Sequence, residues 1–154
     1  MTTVREEDLD VLLPLVRAYT RFYEETGGFT PPTDEALLAL SRALLDRPDH
    51  DGVQLLARDP STGEALGFAT IYWTFSTLSA ARVAVMNDLY VTPAARGSGL
   101  AERLIEACRE RALARGCASL QWTTALDNHR AQRVYDRVGG TRSEWLHYAL
   151  PTDR

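Results

Sequence analysis

Arg96-Gly97-Ser98-Gly99 stands at the start of a predicted amphipathic helix, in a position where an anion can bind. The first N–H groups of a helix have no intrahelical acceptor and carry a partial positive charge. Glycine has no Cβ, so a phosphate can approach these N–H groups closely. Arg96 adds a charged donor with two parallel N–H groups. The segment is interpreted as a phosphate site; the alternative is an ordinary turn with an exposed arginine.

Hydrophobic periodicity predicts the elements that hold this segment. A strand over 81–91 precedes it, and a helix over 97–115 follows it, with Gly116 as the C-cap. The other predicted helices are 6–24, a second from Thr33 or Asp34 to 45, and a third from Asn128 to Gly139. The other predicted strands are 3–5, 53–59, 64–76, 117–126 and 143–150. Strands and helices interleave, which predicts a single α/β (α+β) domain over residues 1–154.

Two motifs in this order resemble those of the GCN5-related N-acetyltransferase (GNAT) superfamily. The segment LYVTPAARGSGLAERLI is similar to its acetyl-CoA signature, Arg/Gln-x-x-Gly-x-Gly/Ala. The positions in register are Arg96, Gly99 and Ala101. The later segment DNHRAQRVYDRVGG is similar to the second signature. The positions in register there are Asn128, Ala131 and Tyr135. Within the superfamily, the chain is most similar to the small polyamine and thialysine acetyltransferases and to the small histone or polyamine acetyltransferases of yeast.

The resemblance implies a mixed, mostly antiparallel central sheet of six to seven strands, flanked by about four helices. The sheet is expected to splay where acetyl-CoA binds, so that pantetheine pairs with the backbone like an additional strand. The diphosphate is expected on the amides at the start of the helix. The implied cofactor-binding residues are Leu89, Tyr90, Val91, Arg96, Gly97, Ser98, Gly99, Leu100, Ala101, Glu102, Asn128 and Ala131.

Acetyl transfer to an amine requires a neutral nucleophile and a protonated leaving thiolate, and an alkylamine has a pKa near ~10. The resemblance implies that Tyr135 is the general acid beside the sulfur of CoA; the alternative is a buried tyrosine of the core. Many polyamine acetyltransferases have a glutamate where this chain has Asn87, which cannot act as a base. Asp88 is the remaining candidate base, acting directly or through water. It is equally compatible with a structural carboxylate paired with an arginine.

Several other residues are candidates for binding the acceptor. Glu24 and Glu25 precede a loop that helps to line the acceptor site in this family, and they either bind a distant ammonium or form a solvated helix end. Tyr72 and Trp73 offer an aromatic wall, although alternating aromatic residues are also expected in any sheet core. Asn87 is a further candidate for binding the acceptor.

Composition excludes some classes of protein. The 154 residues carry a net charge of −4, which argues against a nucleic-acid partner. The acidic N-terminus is unlike a signal peptide, and no apolar run reaches membrane-spanning length, so a cytoplasmic location without a membrane partner is expected. The two cysteines lack metal-site spacing, and no metal is expected.

The predicted function is an N-acetyltransferase that uses acetyl-CoA and acts on a primary amine of a small molecule, such as a polyamine, amino acid or amino-metabolite. Direct attack in a ternary complex is expected. The alternatives are acetylation of a protein lysine or N-terminus, and a non-catalytic acyl-CoA-binding module. A homodimer is expected to form through the apolar segment 143–150, whose residues do not alternate between one apolar and one polar face.

Overall fold

The structure is a computed structural model that describes residues 1–27, 30–150 and 152. Its sheet has the strands β1 (Thr2–Thr3), β2 (Gly52–Arg58), β3 (Ala65–Ser76), β4 (Ala81–Val91) and β5 (Leu120–Gln121). They lie side by side in chain order. The first four are mutually antiparallel, and β5 is parallel to β4. The α/β class and the mixed sheet are therefore confirmed.

Four helices flank the sheet: α1 (Leu9–Gly27), α2 (Asp34–Asp46), α3 (Leu100–Ala114) and α4 (His129–Arg137). Short 3-10 turns cover Glu6–Asp8 and Pro93–Ala95. The Thr33 side chain caps α2 by accepting from the amide of Ala36 at 3.3 Å, as predicted.

The alternation of strand side chains divides the core into two clusters. Leu56 and Phe68 face one side, where they pack with Leu9 and Leu12 of α1. Their neighbours along the strands, such as Leu55 and Ala69, face the opposite side, where they pack in one cluster with Leu104 of α3. Successive strand residues point to opposite faces, so runs such as Leu55-Leu56 serve both layers at once.

One irregularity interrupts the pairing of β3 with β4. Thr70 is opposite Asp88, but the next residue, Ile71, is opposite Met86, so Asn87 is an extra residue on β4. Met86 belongs to the cluster under α3, whereas Tyr90 packs with the cluster under α1. Residues separated by an even number normally share a face of a strand. The bulge at Asn87 therefore reverses the faces of the second half of β4.

Beyond β4, the described sheet has fewer and shorter strands than the sequence predicts. Among the described residues five strands are present instead of six to seven, and β5 has two residues where 117–126 was predicted. The prediction of a strand over 143–150 is wrong for the single chain. Its side chains are all exposed, and no described strand pairs with it. Local β propensity reports a preference for extended backbone, but a strand also needs a neighbour with free backbone groups.

Candidate active site

The turn before α3 is built on two glycines. Gly97 and Gly99 have φ values of +83° and +76°, in the left-handed region that side-chain-bearing residues rarely adopt. Gly99 is the N-cap of the helix. A Cβ placed on Gly97 would have no atom within 4 Å, so the surface above it is open. The free N–H groups of the first turn of α3 therefore begin at an accessible, glycine-lined surface.

The side chains around this turn tie it to the neighbouring elements. Arg96 Nε donates to the carbonyl of Val91 at 3.2 Å, and Arg103 Nη1 donates to the carbonyl of Ser98 at 3.0 Å. Both bonds fix the path of the loop between β4 and α3. Arg96 is exposed, as an arginine that meets an incoming phosphate must be.

Glu102 joins α3 to α4. Its carboxylate accepts two hydrogen bonds from Arg137, from Nε at 3.1 Å and from Nη2 at 2.6 Å. The hydrogen bonds from Arg137 and from its own backbone amide hold the pKa of Glu102 below its usual value. Because the Glu102 amide faces this carboxylate, an anion at the helix start is best served by the amides from Gly97 to Ala101.

The second half of β4 offers an open backbone edge. Leu89, Tyr90 and Val91 pair on one side with β3. On the other side, β5 pairs within the described chain only at Ala84 and Val85, before the bulge. The sheet therefore splays beyond this point, and the residues predicted to pair with pantetheine lie along the gap.

A polar atom near the gap is consistent with a missing ligand. Thr92 Oγ1 is buried without a hydrogen-bond partner, which is unique among the side chains that the structure describes. Buried hydroxyl groups are nearly always satisfied in native proteins. Together with the left-handed glycines and the free edge of β4, this hydroxyl fits a site built for acetyl-CoA.

The second motif forms the other wall of the gap. Asn128 Oδ1 accepts from the amide of Ala131 at 3.2 Å and so caps α4. The ring of Tyr135 packs edge-on against Trp122 with centroids 5.4 Å apart. Burial, with a smaller contribution from Tyr23, raises the pKa of Tyr135 to about 12. Tyr135 is therefore held rigidly and keeps its proton at neutral pH, as a general acid must.

Asp88 lies on the opposite side of the gap, just after the bulge, and is half-buried. Asn87 Nδ2 donates to its Oδ1 at 2.9 Å. Burial raises the pKa of Asp88 above its ordinary value, although hydrogen bonds from Thr70, Tyr19 and Asn87 lower it in part. Among the described residues, the side chains that shift its pKa are those of Thr70, Tyr19 and Asn87.

A cleft of about 320 Å³ opens onto Asp88 from the α1 side. Its lining residues are Tyr19, Thr20, Tyr23, Thr30, Pro31, Pro32, Asn87 and Asp88. Tyr19 donates to the carbonyl of Asn87 at 3.3 Å, and its ring lies 5.0 Å from that of Tyr23. Tyr23 in turn interacts with Tyr135. The candidate base and the candidate acid therefore stand on either side of the Tyr19–Tyr23 pair.

The predicted acceptor residues do not all meet at this cleft. Glu24 and Glu25 are exposed near the end of α1 and are not among its lining residues. Tyr72 interacts with Asp88, and burial together with that carboxylate raises its pKa to about 12. Trp73 faces the α3 side, where its Nε1 donates to the carbonyl of Pro48 at 2.8 Å. Tyr72 and Trp73 therefore do not form one wall, because neighbouring residues of a strand face opposite sides.

Helical spacing in the sequence places Tyr19 and Tyr23 on the apolar face of the predicted helix 6–24, and it gives no indication that they lie at the site. The available signal was their chemistry: two tyrosines end a stripe that otherwise consists of leucine and valine. A tyrosine on such a stripe combines an apolar ring with a hydroxyl that requires a partner.

Two further features bear on the classes of ligand. Within the described ranges, no group of three or more metal-binding side chains is close enough to hold an ion. None of the helices in this part of the chain is both long and apolar enough to cross a membrane.

Comparisons with known proteins agree with this geometry. The model of the acetyltransferase (GNAT) family matches residues 13–140. The chain is 42% identical over 124 residues to the D-amino-acid N-acetyltransferase HPA3 of Saccharomyces cerevisiae, covering 79% of this chain and 76% of that protein. It is 29% identical over 157 residues to the thialysine N-epsilon-acetyltransferase of Bos taurus, covering 93% and 86%.

A solved structure is also similar along nearly its whole length. The crystal structure of a probable acetyltransferase superposes with a TM-score of 0.84 at 30% sequence identity. The match covers 99% of this chain and 97% of that one. The similarity therefore includes both motifs and the elements between them.

Replacing Gly99 with valine should weaken the binding of CoA by about tenfold or more, because the side chain displaces phosphate oxygens from the helix start. Isothermal titration calorimetry of the purified protein with CoA measures this. Gly63→Val is the matched control, since Gly63 has φ of +75° in a turn between β2 and β3 and a Cβ there meets no atom within 4 Å. Unchanged CoA affinity in a folded Gly99→Val protein would show that the phosphates bind elsewhere.

Proposed function

This chain belongs to the acetyltransferase (GNAT) family, and we propose that it acetylates the primary amine of a small molecule by direct attack in a ternary complex. The resemblance that the two sequence motifs carry is thereby confirmed, and the chain is an N-acetyltransferase. The observation that carries the finer proposal is the position of Asp88. It is a half-buried carboxylate at the point where the α1-side cleft meets the open edge of β4.

Bound acetyl-CoA supplies an acyl carbon activated as a thioester. The chain holds its phosphates with the amides from Gly97 to Ala101 and with Arg96, and its pantetheine with the backbone of Leu89 to Val91. The side chain of Thr92, whose hydroxyl is buried without a partner in the described chain, follows directly after this segment. A thioester held by these groups would give an amine in the cleft a defined direction of approach.

Asp88 takes the proton that the attacking amine must lose. Its raised pKa makes it a stronger base than an exposed aspartate, and the ionised form still dominates when the pH exceeds that pKa. An ammonium that enters the cleft also loses hydration, which lowers its own pKa and eases the transfer. Asn87, whose amide cannot accept the proton, instead donates to Asp88 and helps to fix its carboxylate.

Tyr135 delivers a proton to the leaving sulfur. Its pKa of about 12 keeps the phenol protonated, and Trp122 restricts the ring. A covalent acetyl-cysteine route has no support. Cys108 is buried in the α3-side core, and burial raises its pKa to about 12. Burial also raises the pKa of Cys117.

The size and charge of the cleft favour a small acceptor. Tyr19, Tyr23, Pro31 and Pro32 surround the approach to Asp88, and the cleft holds about 320 Å³. Both curated relatives described above are N-acetyltransferases named for amino acids, D-amino acids and thialysine. Asp88 is the one charged side chain among the described lining residues. We therefore favour an amino acid or amino-metabolite over a polyamine that needs several carboxylates.

Release of free thiol from acetyl-CoA, measured with a panel of amines, tests the proposed acceptor class. The panel comprises an amino acid, a short monoamine, the matched diamine and a lysine-containing peptide. The small amines should turn over faster than the peptide. The ratio of kcat/KM between diamine and monoamine should not depend on salt, since Glu24 and Glu25 lie outside the cleft.

Other results of that assay point to different functions. A preference for the peptide would indicate a protein acceptor. A diamine advantage that weakens with salt would restore the polyamine assignment. Calorimetric binding of CoA without turnover on any amine would indicate a non-catalytic acyl-CoA-binding module.

Replacing Tyr135 with phenylalanine should lower kcat by about 10²–10⁴, because the leaving thiolate loses its proton donor. Binding of CoA, measured by calorimetry, should stay close to that of the wild type. Tyr148→Phe is the matched control, since Tyr148 is 85% exposed and distant in sequence from the site. A Tyr135→Phe enzyme with the wild-type kcat would reduce Tyr135 to a packing residue.

We also propose that the chain forms a homodimer through the segment 143–150. Trp145, Leu146, Tyr148 and Leu150 are 79–88% exposed in the single chain. Contiguous apolar side chains of this size usually lie in an interface. Arg142 Nη2 donates to Asp136 Oδ2 at 2.7 Å, which fixes the start of the segment on α4.

Light scattering at micromolar concentration should therefore give the mass of two chains. The double variant Trp145→Ser/Leu146→Ser should shift the equilibrium toward the monomer. Leu78→Ser is the control, because Leu78 is 93% exposed on the turn between β3 and β4. A wild-type protein with the mass of one chain would refute the dimer.

A further inference from the structure

A row of polar side chains crosses three strands on the α1 side of the sheet. Gln54 of β2 is paired with Thr70 of β3, and Thr70 is paired with Asp88 of β4. Gln54 is 5% exposed and Thr70 is fully buried. Next to this row, the same face is apolar, with Leu56 and Phe68 in the core. The row ends at the one carboxylate that faces the acceptor cleft.

The donors and acceptors of the three side chains fit together in one order along the row. Gln54 Nε2 donates to Thr70 Oγ1 at 3.3 Å. A hydroxyl that accepts a hydrogen bond still has its own proton to donate. Thr70 lies opposite Asp88 in the strand pairing, and its side chain lowers the pKa of that carboxyl group, which when ionised can only accept. The donors therefore run in one sense, from the amide of Gln54 through the hydroxyl of Thr70 to Asp88.

Burial of two neutral polar groups in an apolar sheet face is costly unless each has a partner. Valine or leucine would fill either position without that cost, as such residues do at the neighbouring positions of β2 and β3. The polar pair thus stabilises the sheet less than apolar residues would. Gln54 also lines a separate cavity beside α2, and Asp88 is the member of the row that faces the acceptor cleft.

We propose that Thr70 and Gln54 are positioning residues for Asp88, in which Gln54 orients the Thr70 hydroxyl and that hydroxyl fixes the ionised carboxylate toward the acceptor amine. This inference rests on the proposed role of Asp88 as the base. Asn87 supplies a further hydrogen bond to Asp88 from β4, and Tyr19, whose hydroxyl donates to the carbonyl of Asn87, interacts with Asp88 from α1. Two donors leave a carboxylate with free lone pairs for the amine, because it has about four acceptor sites.

The titratable groups around Asp88 permit a clean test. Tyr19 faces it from α1 and Tyr72 from β3. Burial, with the nearby carboxylate, raises the pKa of both phenols. Both therefore stay protonated while Asp88 ionises. Loss of the Thr70 hydroxyl removes one of the bonds that lower the pKa of Asp88, so its ionisation should move to higher pH.

Thr70→Val should raise the pH at which Asp88 ionises by about one unit, the usual size of one hydrogen bond to a charged group. Carbon-13 NMR titration of the aspartate carboxyl groups measures this directly, with the Asp88 signal assigned by its loss in Asp88→Asn. The acidic limb of kcat/KM, recorded with one acceptor for every variant, should move in the same direction. The acceptor's own ionisation then contributes equally to each profile.

Matched variants separate positioning from packing. Thr70→Ser keeps the hydroxyl and should restore the wild-type titration, even if the smaller side chain lowers the melting temperature. Thr74→Val removes an exposed hydroxyl of the same strand and should shift nothing. Gln54→Met keeps the length but not the donor, and should shift Asp88 in the same direction by a smaller amount. If Thr70→Val does not fold, Gln54→Met and Thr70→Ser decide the question.

The results distinguish the two proposals. An Asp88 titration that is unchanged in Thr70→Val or, failing that, in Gln54→Met would overturn the positioning role, whatever the activity. A shifted titration in an enzyme whose kcat/KM profile is insensitive to Asp88→Asn would support the positioning of the carboxylate and reject Asp88 as the base. Shifts of both titration and profile, absent in Thr70→Ser, would support both.

Discussion

The bulge at Asn87 is the feature on which the site depends. A regular β4 would direct the side chain of residue 88 to the same face as Met86, into the apolar cluster under α3. The extra residue instead places Asp88 on the α1 face, opposite Thr70 and beside the acceptor cleft. Within the described chain, β5 accompanies β4 only at Ala84 and Val85, so β4 continues past the bulge without it. One extra residue thus places the carboxylate on the α1 face of β4, while the edge of the same strand stays open.

The two faces of the sheet have different tasks as a result. The α3 side holds a large apolar cluster, and α3 begins at the phosphate-binding turn. The α1 side contains a smaller apolar cluster interrupted by polar groups, including Gln54, Thr70 and the hydroxyl of Tyr19. In the proposed function, the first side carries the cofactor site and the second side carries the base. The open edge of β4 lies between these two faces of the sheet.

Charged side chains are sparse in the cleft and common on the exposed surface. The cleft has one carboxylate and four aromatic or proline side chains, Tyr19, Tyr23, Pro31 and Pro32. Most of the ion pairs are exposed, such as Arg109 with Glu106 on α3, and exposed pairs of this kind contribute little to stability. The hydrogen-bonded pair of Glu102 and Arg137 differs from these surface pairs. It connects α3 with α4, the helices on the two sides of the proposed cofactor gap.

The sequence alone was sufficient to predict four helices, most strand positions, the glycine turn before α3 and the family, because periodicity and motif spacing are local properties. It also identified Tyr135 and Asp88 as the acid and base candidates. Tertiary structure alone decided which candidates meet. Tyr19 and Tyr23 reach Asp88 through helix packing, Trp73 turns away from Tyr72, and Glu24 and Glu25 remain outside the cleft. The segment 143–150 has the composition of a strand but no described neighbour. Contacts between distant residues depend on strand register and on one bulge, and neither leaves a pattern that repeats along the chain.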